Sequence, residues 1–196
     1  MSASNRGAIK LDKEFYPTPD YTIDSILKEI NFSKVWSFRE PCRGGGIIYN
    51  KIEAHYKDYF ELSEGLDYLK SNAKRVDLIL TNPPFSLAQE FIEKAISESD
   101  TVCMLQRVNY LGSQARKEFW NKNPPTHMFV LANRPKFISR CKTKECNNPS
   151  SYQNGTIDIC PMCGGKVSPQ SDATEYAWFV WDKKEVFKKS NGIYVI

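Results

Sequence analysis

Val76-Asp77-Leu78-Ile79-Leu80-Thr81-Asn82-Pro83-Pro84-Phe85 is the stretch whose reading decides how this chain folds. An apolar run, Val76 to Leu80, is broken only by Asp77 and reads as a buried strand. Pro83 and Pro84 end it abruptly, because proline fixes φ and cannot donate a ladder hydrogen bond. An amide, two prolines and an aromatic ring are thereby held in a stiff loop at a strand's C-terminal end, where open α/β sheets place their ligands. A plain strand-ending turn uses the same residues, so the flanking segments must decide between a turn and a site.

Upstream, Val35-Trp36-Ser37-Phe38 reads as a short strand leading into Glu40-Pro41-Cys42-Arg43-Gly44-Gly45-Gly46. Ile47, Ile48, Ile52 and Tyr56 then recur at helical spacing. Strand, glycine loop and helix in that order bring backbone close to a nucleotide-like ligand, although a glycine triplet alone also serves an ordinary tight turn. Tyr59-Phe60-Glu61-Leu62 reads as a second strand with Glu61 near its end, 15 residues after Gly46. That spacing is slightly closer than the roughly 20 residues of a dinucleotide site, and a lone strand-end glutamate is often just solvated. Before all of this, Leu11 to Asp20 is aromatic and proline-rich, and Ile23, Ile26, Leu27 and Ile30 mark a helix starting near Pro19 or Asp20.

Downstream, Phe91, Ile92, Ala95 and Ile96 predict a helix, Thr101 to Leu105 a strand, Gln114 to Trp120 a helix and His127 to Ala132 a strand. The alternation predicts an α/β fold with a mostly parallel sheet. After Arg134-Pro135-Lys136-Phe137 the texture turns polar, from Ser139 to Ala173, before the β-prone run Glu175 to Trp181 and a last strand, Ile193 to Ile196. Residues 1–138 and 174–196 therefore read as one core interrupted by an insertion, residues 139–173. The 196-residue length suits one such domain with a small appendage.

A hydrophobic fraction of 41% supports a real core, and a net charge of +4 permits a polyanionic partner without requiring one. The polar start, Met1 to Gly7, lacks the apolar segment of a secretory signal, and no run approaches a membrane span. A soluble, cytoplasmic protein with reduced cysteines is expected. Of the six cysteines, Cys42 and Cys103 read as small buried hydrophobes. Cys141-x4-Cys146 and Cys160-x2-Cys163 form two pairs separated by 13 residues, and Gly164-Gly165 suits a turn whose amides approach thiolate sulfurs. Four soft ligands in two such pairs are the set of a closed structural zinc site. So polar a segment would need a metal to stay ordered.

The order Phe15-Tyr16-Pro17-Thr18-Pro19, Glu40-Pro41-x-x-Gly44-x-Gly46 and Asn82-Pro83-Pro84-Phe85 resembles the S-adenosylmethionine-dependent amino methyltransferases of DNA. It is most similar to the small adenine-N6 methyltransferases of phages and prophages, which places the expected setting in a bacterial or phage-infected cell. The resemblance extends through Arg134-Pro135-x-Phe137 to the Tyr176–Trp181 run, nearly the whole chain. It implies a Rossmann-like class I sheet with an antiparallel late strand. It also implies that Phe15, Tyr16 and Thr18 contact the methionine end of S-adenosylmethionine, above the loop Glu40, Gly44 and Gly46. Glu61 would hold the ribose hydroxyls and Asp67 the adenine amino group, with Tyr68 or Leu69 near that ring. Asn82, Pro83, Pro84 and Phe85 would meet the target base, Asn82 also bordering the cofactor. Arg43 departs from the small or acidic residue common at its position and adds charge near a cationic sulfonium.

The chemistry accounts for these residue types independently. An adenine N6 amino group is a poor nucleophile, and two acceptors, the Asn82 side-chain oxygen and the Pro83 carbonyl, favour its pyramidal form. Phe85 offers a face for a base flipped from the duplex. Phe137 is a candidate for the other face, or a core aromatic. Arg134 and Arg140, with Lys142 and Lys144, suit phosphates, so the cysteine ribbon reads either as a DNA-recognition element or as a prop for the fold. The competing readings are amino methylation of RNA adenine, DNA cytosine-N4 or protein glutamine, and a non-catalytic nucleic-acid-binding protein that kept the fold. DNA carrying the target adenine is the expected partner, with no membrane.

Overall fold

The computed structural model describes residues 17–141, 143, 146, 149–150, 159–160, 162–170 and 173–196. In chain order, α1 (Asp20–Leu27) precedes β1 (Ser37–Glu40), α2 (Ile47–Lys51), β2 (Tyr56–Tyr59) and β3 (Val76–Thr81). Then come α3 (Ala88–Glu98), β4 (Ser99–Arg107), α4 (Lys117–Lys122) and β5 (His127–Val130). Three short strands, β6 (Ile138–Cys141), β7 (Pro149–Ser150) and β8 (Val167–Gln170), lead to β9 (Tyr176–Asp182) and β10 (Gly192–Val195).

Seven strands make the main sheet, in the order β10-β5-β9-β4-β3-β1-β2. All its pairings are parallel except those of β9, which runs antiparallel to both β4 and β5. The mostly parallel sheet with an antiparallel late strand is thus present. The chain steps from β1 outward to β2 and then crosses back to β3 on β1's other side. The strand order therefore reverses between β1 and β3, and the crevice at their carboxyl ends is where such sheets bind ligands.

Helices cover both faces, each with its own apolar cluster. Ile23 and Ile26 of α1 and Ile48 of α2 pack with Phe38, Leu80, Leu105 and Trp178 on one face. Phe91, Ile92 and Ala95 of α3 and Phe119 of α4 pack with Ile79, Val102, Met104 and Phe179 on the other. Leu78, Ile79 and Leu80 alternate between these clusters, the period-2 pattern of a strand buried on both sides.

Several boundaries differ from the sequence expectation. The first strand starts at Ser37, two residues late, because Trp36 is 61% exposed and Val35 closes a 3-10 turn over Phe32–Lys34. Its charged residues are buried because they have partners: Arg39 Nε lies 2.8 Å from Asp58 Oδ1 and Arg39 Nη1 lies 3.0 Å from Glu98 Oε2. Asp77, the one break in the apolar run of β3, accepts from the Ser37 backbone N–H and hydroxyl at 2.9 and 2.8 Å. It ties the start of β1 to its neighbour. Tyr56, which continues the helical spacing in sequence, instead begins β2 opposite Ser37 and stacks beside Trp36. Consequently β2 ends at Tyr59, and Glu61 lies beyond it as the cap of a 3-10 turn, Leu62–Glu64.

The cysteine segment forms its own three-stranded sheet, in the order β7-β6-β8. Because Val130 of β5 pairs with Ala177 and Arg107 of β4 with Tyr176, this segment leaves and re-enters the main sheet at the carboxyl edge of the parallel strands. Among the described residues no helix is long and apolar enough to cross a membrane.

Candidate active site

Three loops converge at the switch point. The glycine loop leaves β1 with Gly44 at φ 51° and Gly46 at φ 78°, left-handed conformations that cost a glycine little. A Cβ on Gly45 would meet no atom within 4 Å, so that backbone faces open space. The loop is locked to the exit of β2, since Phe60 N donates to Glu40 O at 2.9 Å and Arg43 N to Phe60 O at 3.0 Å. That lock brings Glu61 to the glycines: Gly44 N donates to Glu61 Oε2 at 2.7 Å.

Two carboxylates flank this loop and differ in character. Glu40 is 1% exposed, and burial pushes its carboxyl well above the ordinary 4.5; the Tyr49 backbone N–H and Arg43 offset this only in part. Its Oε2 is buried with no hydrogen-bond partner among the described residues. A buried acceptor left open costs stability, and its presence beside a glycine cradle fits a ligand that donates there. Glu61 behaves oppositely. Burial raises its pKa, but donation from the Ser63 hydroxyl and from the backbone N–H groups of Ser63 and Gly44 outweighs this and holds it low. Arg43, the departure in the glycine loop, pairs with Glu64 and lies 4.0 Å over the Tyr59 ring. Its charge is thus compensated locally. Asp67 accepts from Leu69 N at 3.0 Å and pairs with Lys70, while Tyr68 is buried between Phe60 and Phe91.

At the end of β3, Asn82 Nδ2 donates to Thr18 Oγ1 at 3.0 Å, a contact spanning 64 positions of sequence. Thr18 is 7% exposed. The prolines after Asn82 lead straight into a 3-10 turn, Phe85–Leu87, and then α3. Phe85 is half-buried amid Phe137 and Tyr176, at centroid distances of 6.4 and 5.8 Å. Phe137 meets Phe85 at 69°, edge to face rather than as the parallel partner a base sandwich would use. It is 7% exposed and belongs to the core, so it buttresses the Phe85 ring.

The sequence reading missed Arg107. Its guanidinium carbon lies 5.1 Å over the Phe85 ring, and its Nε donates to the Tyr176 hydroxyl at 3.3 Å. The available signal was a charged residue ending an apolar strand, at the edge where Phe85 sits. Arg134, by contrast, donates through Nε to Glu175 Oε1 at 2.8 Å and closes the root of the insertion. Phe15, Tyr16, Lys142 and Lys144 lie outside the described residues, and Arg140 is placed only by its register in β6, opposite Ser168.

The four cysteines meet. The sulfurs of Cys141, Cys146, Cys160 and Cys163 all lie within 4.8 Å of one another, at 3.4 Å for Cys141–Cys163 and 3.7 Å for Cys146–Cys160. Tetrahedral thiolates about 2.3 Å from zinc stand about 3.8 Å apart, so the donor set fits that ion. The backbone N–H groups of Met162 and Cys163 point at Cys160 and bring its thiol down to about 6. A Cβ on Gly165 would fall 2.1 Å from Thr143 Oγ1 and 3.3 Å from both the Cys141 and Cys163 sulfurs. A side chain there would displace the Thr143 hydroxyl and press on both sulfurs. Cys103 is buried in the cluster on one face of the sheet, and Cys42 packs against the cluster on the other.

No protein-family model matches the chain, and no curated protein matches it in sequence. Solved structures do. A proposed RNA methyltransferase of Pyrococcus horikoshii superposes with a TM-score of 0.56 at 16% identity, covering 90% of this chain and 91% of that one. A proposed class I S-adenosylmethionine-dependent methyltransferase of Listeria monocytogenes gives 0.55 at 11% identity over 97% and 68% of the two chains. A modification subunit of a proposed type I restriction enzyme of Vibrio vulnificus gives 0.51 at 15% identity, over 94% of this chain. This chain spans 48% of that subunit's length. The fold is the class I methyltransferase fold.

Proposed function

We propose that this chain transfers the methyl group of S-adenosylmethionine to the N6 amino group of adenine in DNA. The observation that carries the reading is Asn82, presented by a proline-stiffened loop at the end of β3 with its amide nitrogen held by Thr18. With that nitrogen occupied, the carbonyl end of the amide is offered to an incoming amino group.

The cofactor site is the crevice between the β1 and β3 loops. Glu40 Oε2 supplies a waiting acceptor, Gly44 to Gly46 a close backbone and Glu61 an ionised carboxylate for ribose hydroxyls. Thr18 and Asp67 complete it, together with Phe15 and Tyr16. S-adenosylmethionine supplies an electrophilic methyl group. Asn82 Oδ1 and the Pro83 carbonyl accept the two amino hydrogens, concentrate the lone pair on nitrogen and stabilise positive charge as it forms there. Bound there, the cofactor would supply its methyl group to that nitrogen and leave as the neutral thioether, and the amino group would release its proton to solvent. Phe85, backed by Phe137 and Tyr176, stacks the flipped base.

The cysteine cluster is proposed as a structural zinc site, closed by four protein ligands. The ribbon it holds, with Arg140, Lys142 and Lys144, would touch DNA phosphates beside the pocket.

Asn82→Ala is the test. It should keep S-adenosylmethionine binding and lower methyl transfer to adenine-containing DNA by about 100-fold or more. Activity retained by that variant would sink the assignment. Parallel assays on RNA and on cytosine-only DNA separate the competing substrates.

A further inference from the structure

We infer that Thr18 is a positioning residue for the reacting amide: by accepting from Asn82 Nδ2 it fixes which end of Asn82 faces the substrate. The inference rests on Asn82 being the acceptor for the substrate amino group. An asparagine side chain has two ends of nearly equal size and opposite chemistry, one accepting and one donating. Turned the wrong way, Asn82 would aim N–H groups at the N–H groups of adenine and oppose the reaction. Something must hold it.

The structure places two proline-locked residues against each other. Thr18 stands between Pro17 and Pro19, and Asn82 immediately precedes Pro83. A residue before proline is confined to extended backbone, so neither side chain is carried on a freely pivoting chain. The Thr18 side is anchored further. Pro19 O accepts from Thr22 N at 3.0 Å, Ile23 and Ile26 are fully buried, and Trp178 Nε1 donates to Thr22 O at 3.1 Å. Tyr21 donates to Arg134 O at 2.9 Å and accepts from Lys136 N at 3.0 Å, fastening α1 to the segment that carries Phe137. On the other side Asn82 follows Thr81, fully buried in β3. The 3.0 Å bond thus joins two fixed points, and its partner is nine-tenths buried, out of competition with water.

A threonine hydroxyl has one proton and two lone pairs. When that proton is donated to another acceptor, such as the carboxylate of the proposed cofactor, only lone pairs remain for Asn82. The amide is then held with its oxygen toward the substrate. Thr18 would so link cofactor occupancy to readiness of the catalytic loop, a role distinct from holding the cofactor.

Thr18→Val keeps the shape and removes both hydrogen bonds, while Thr18→Ser keeps both. In protein labelled with 15N-asparagine, the Asn82 side-chain amide is assigned by its loss in Asn82→Asp. In Thr18→Val that signal should shift and its protons exchange with water about tenfold faster, with single-turnover methyl transfer at saturating cofactor down about 10- to 100-fold whatever the accompanying rise in cofactor Kd. Thr18→Ser should restore all three. An unmoved Asn82 signal in Thr18→Val, or a raised Kd with an unchanged rate at saturation, overturns the inference. A wild type that methylates no adenine defeats the parent reading, while the amide signal still decides this one.

Discussion

Replacing Glu40 by glutamine should stabilise the ligand-free protein while weakening cofactor binding. Glu40 is 1% exposed and one of its oxygens is buried without a partner among the described residues. Its carboxyl is pushed well above 4.5, mainly by burial. The neutral form is therefore favoured by folding. The stability tied to that proton is complete below the unfolded value of 4.5 and is lost as pH rises through the higher folded value. Glutamine keeps an acceptor for the Tyr49 backbone N–H and carries no charge to bury. Relief of one poorly satisfied buried group is worth about 1–3 kcal/mol, more for a charged one. For a chain of this size each kcal/mol moves Tm by about 2–4 °C, so Glu40→Gln should melt roughly 2–12 °C higher at pH 8. Near pH 4.5 the advantage should largely vanish, because the folded wild-type carboxyl is then protonated and the unfolded one about half so. Losing the charge-assisted bond to a ligand donor costs about 1.5–3 kcal/mol, a rise in S-adenosylmethionine Kd of roughly 10- to 150-fold. Melting curves across pH and titration calorimetry at pH 8 read both effects. A Glu40→Gln variant no more stable than wild type at pH 8, or one whose offset is the same at pH 4.5, refutes the reasoning.

Metal removal gives a second test: chelation, or Cys160→Ser, should loosen the ribbon and weaken DNA binding about tenfold or more while cofactor Kd stays within about twofold. Equal loss of both, followed by calorimetry and fluorescence anisotropy, would assign the cluster to the scaffold. Gly165→Ala should reproduce the chelated state at saturating zinc, since its Cβ has no room beside the Cys141 and Cys163 sulfurs; metal content by mass spectrometry checks this. Arg107→Met should release the Phe85 ring and raise the KM for DNA about 3- to 30-fold, reflecting loss of a partly desolvated cation–π contact and a hydrogen bond, with cofactor KM unchanged.

The features that the sequence made legible are those fixed by local chemistry. Pro83 and Pro84 end β3 whatever surrounds them, and Pro41 followed by three glycines marks the loop that leaves β1. Four cysteines in two closely spaced pairs announce a cluster, because that spacing suits a shared metal, and their sulfurs do converge. The features it concealed are those set by partners distant in the chain. Arg39 and Glu40 extend β1 two residues past the expected Phe38 because Asp58 and Glu98 neutralise the buried Arg39 and the glycine loop covers Glu40. Tyr56 kept helical period with Ile52 yet pairs with Ser37 in the sheet. Arg107 and Thr18 draw their roles from contacts with distant residues, Phe85 and Tyr176 for the one and Asn82 for the other, that no local pattern encodes.

The antiparallel β9 does more than complete the sheet. A connection between two parallel strands must cross from one sheet edge to the other, whereas β5 and β9 are antiparallel neighbours, so the chain between them departs and returns at the same edge. Here that edge is the carboxyl one, where β1 and β3 bring the glycine loop and Asn82. Any insertion between β5 and β9 is therefore delivered beside the Asn82 loop without a separate domain to orient it. The Arg134–Glu175 pair fastens its two ends, Phe137 and Tyr176 enter the Phe85 cluster from those ends, and Cys141 follows Phe137 by one short strand. Order imposed on the ribbon by its four cysteines would thus reach, through β6, the Phe137 ring that backs Phe85, the proposed base-stacking residue. In so small a protein, the element that would meet the substrate and the element that would transform it share a single root.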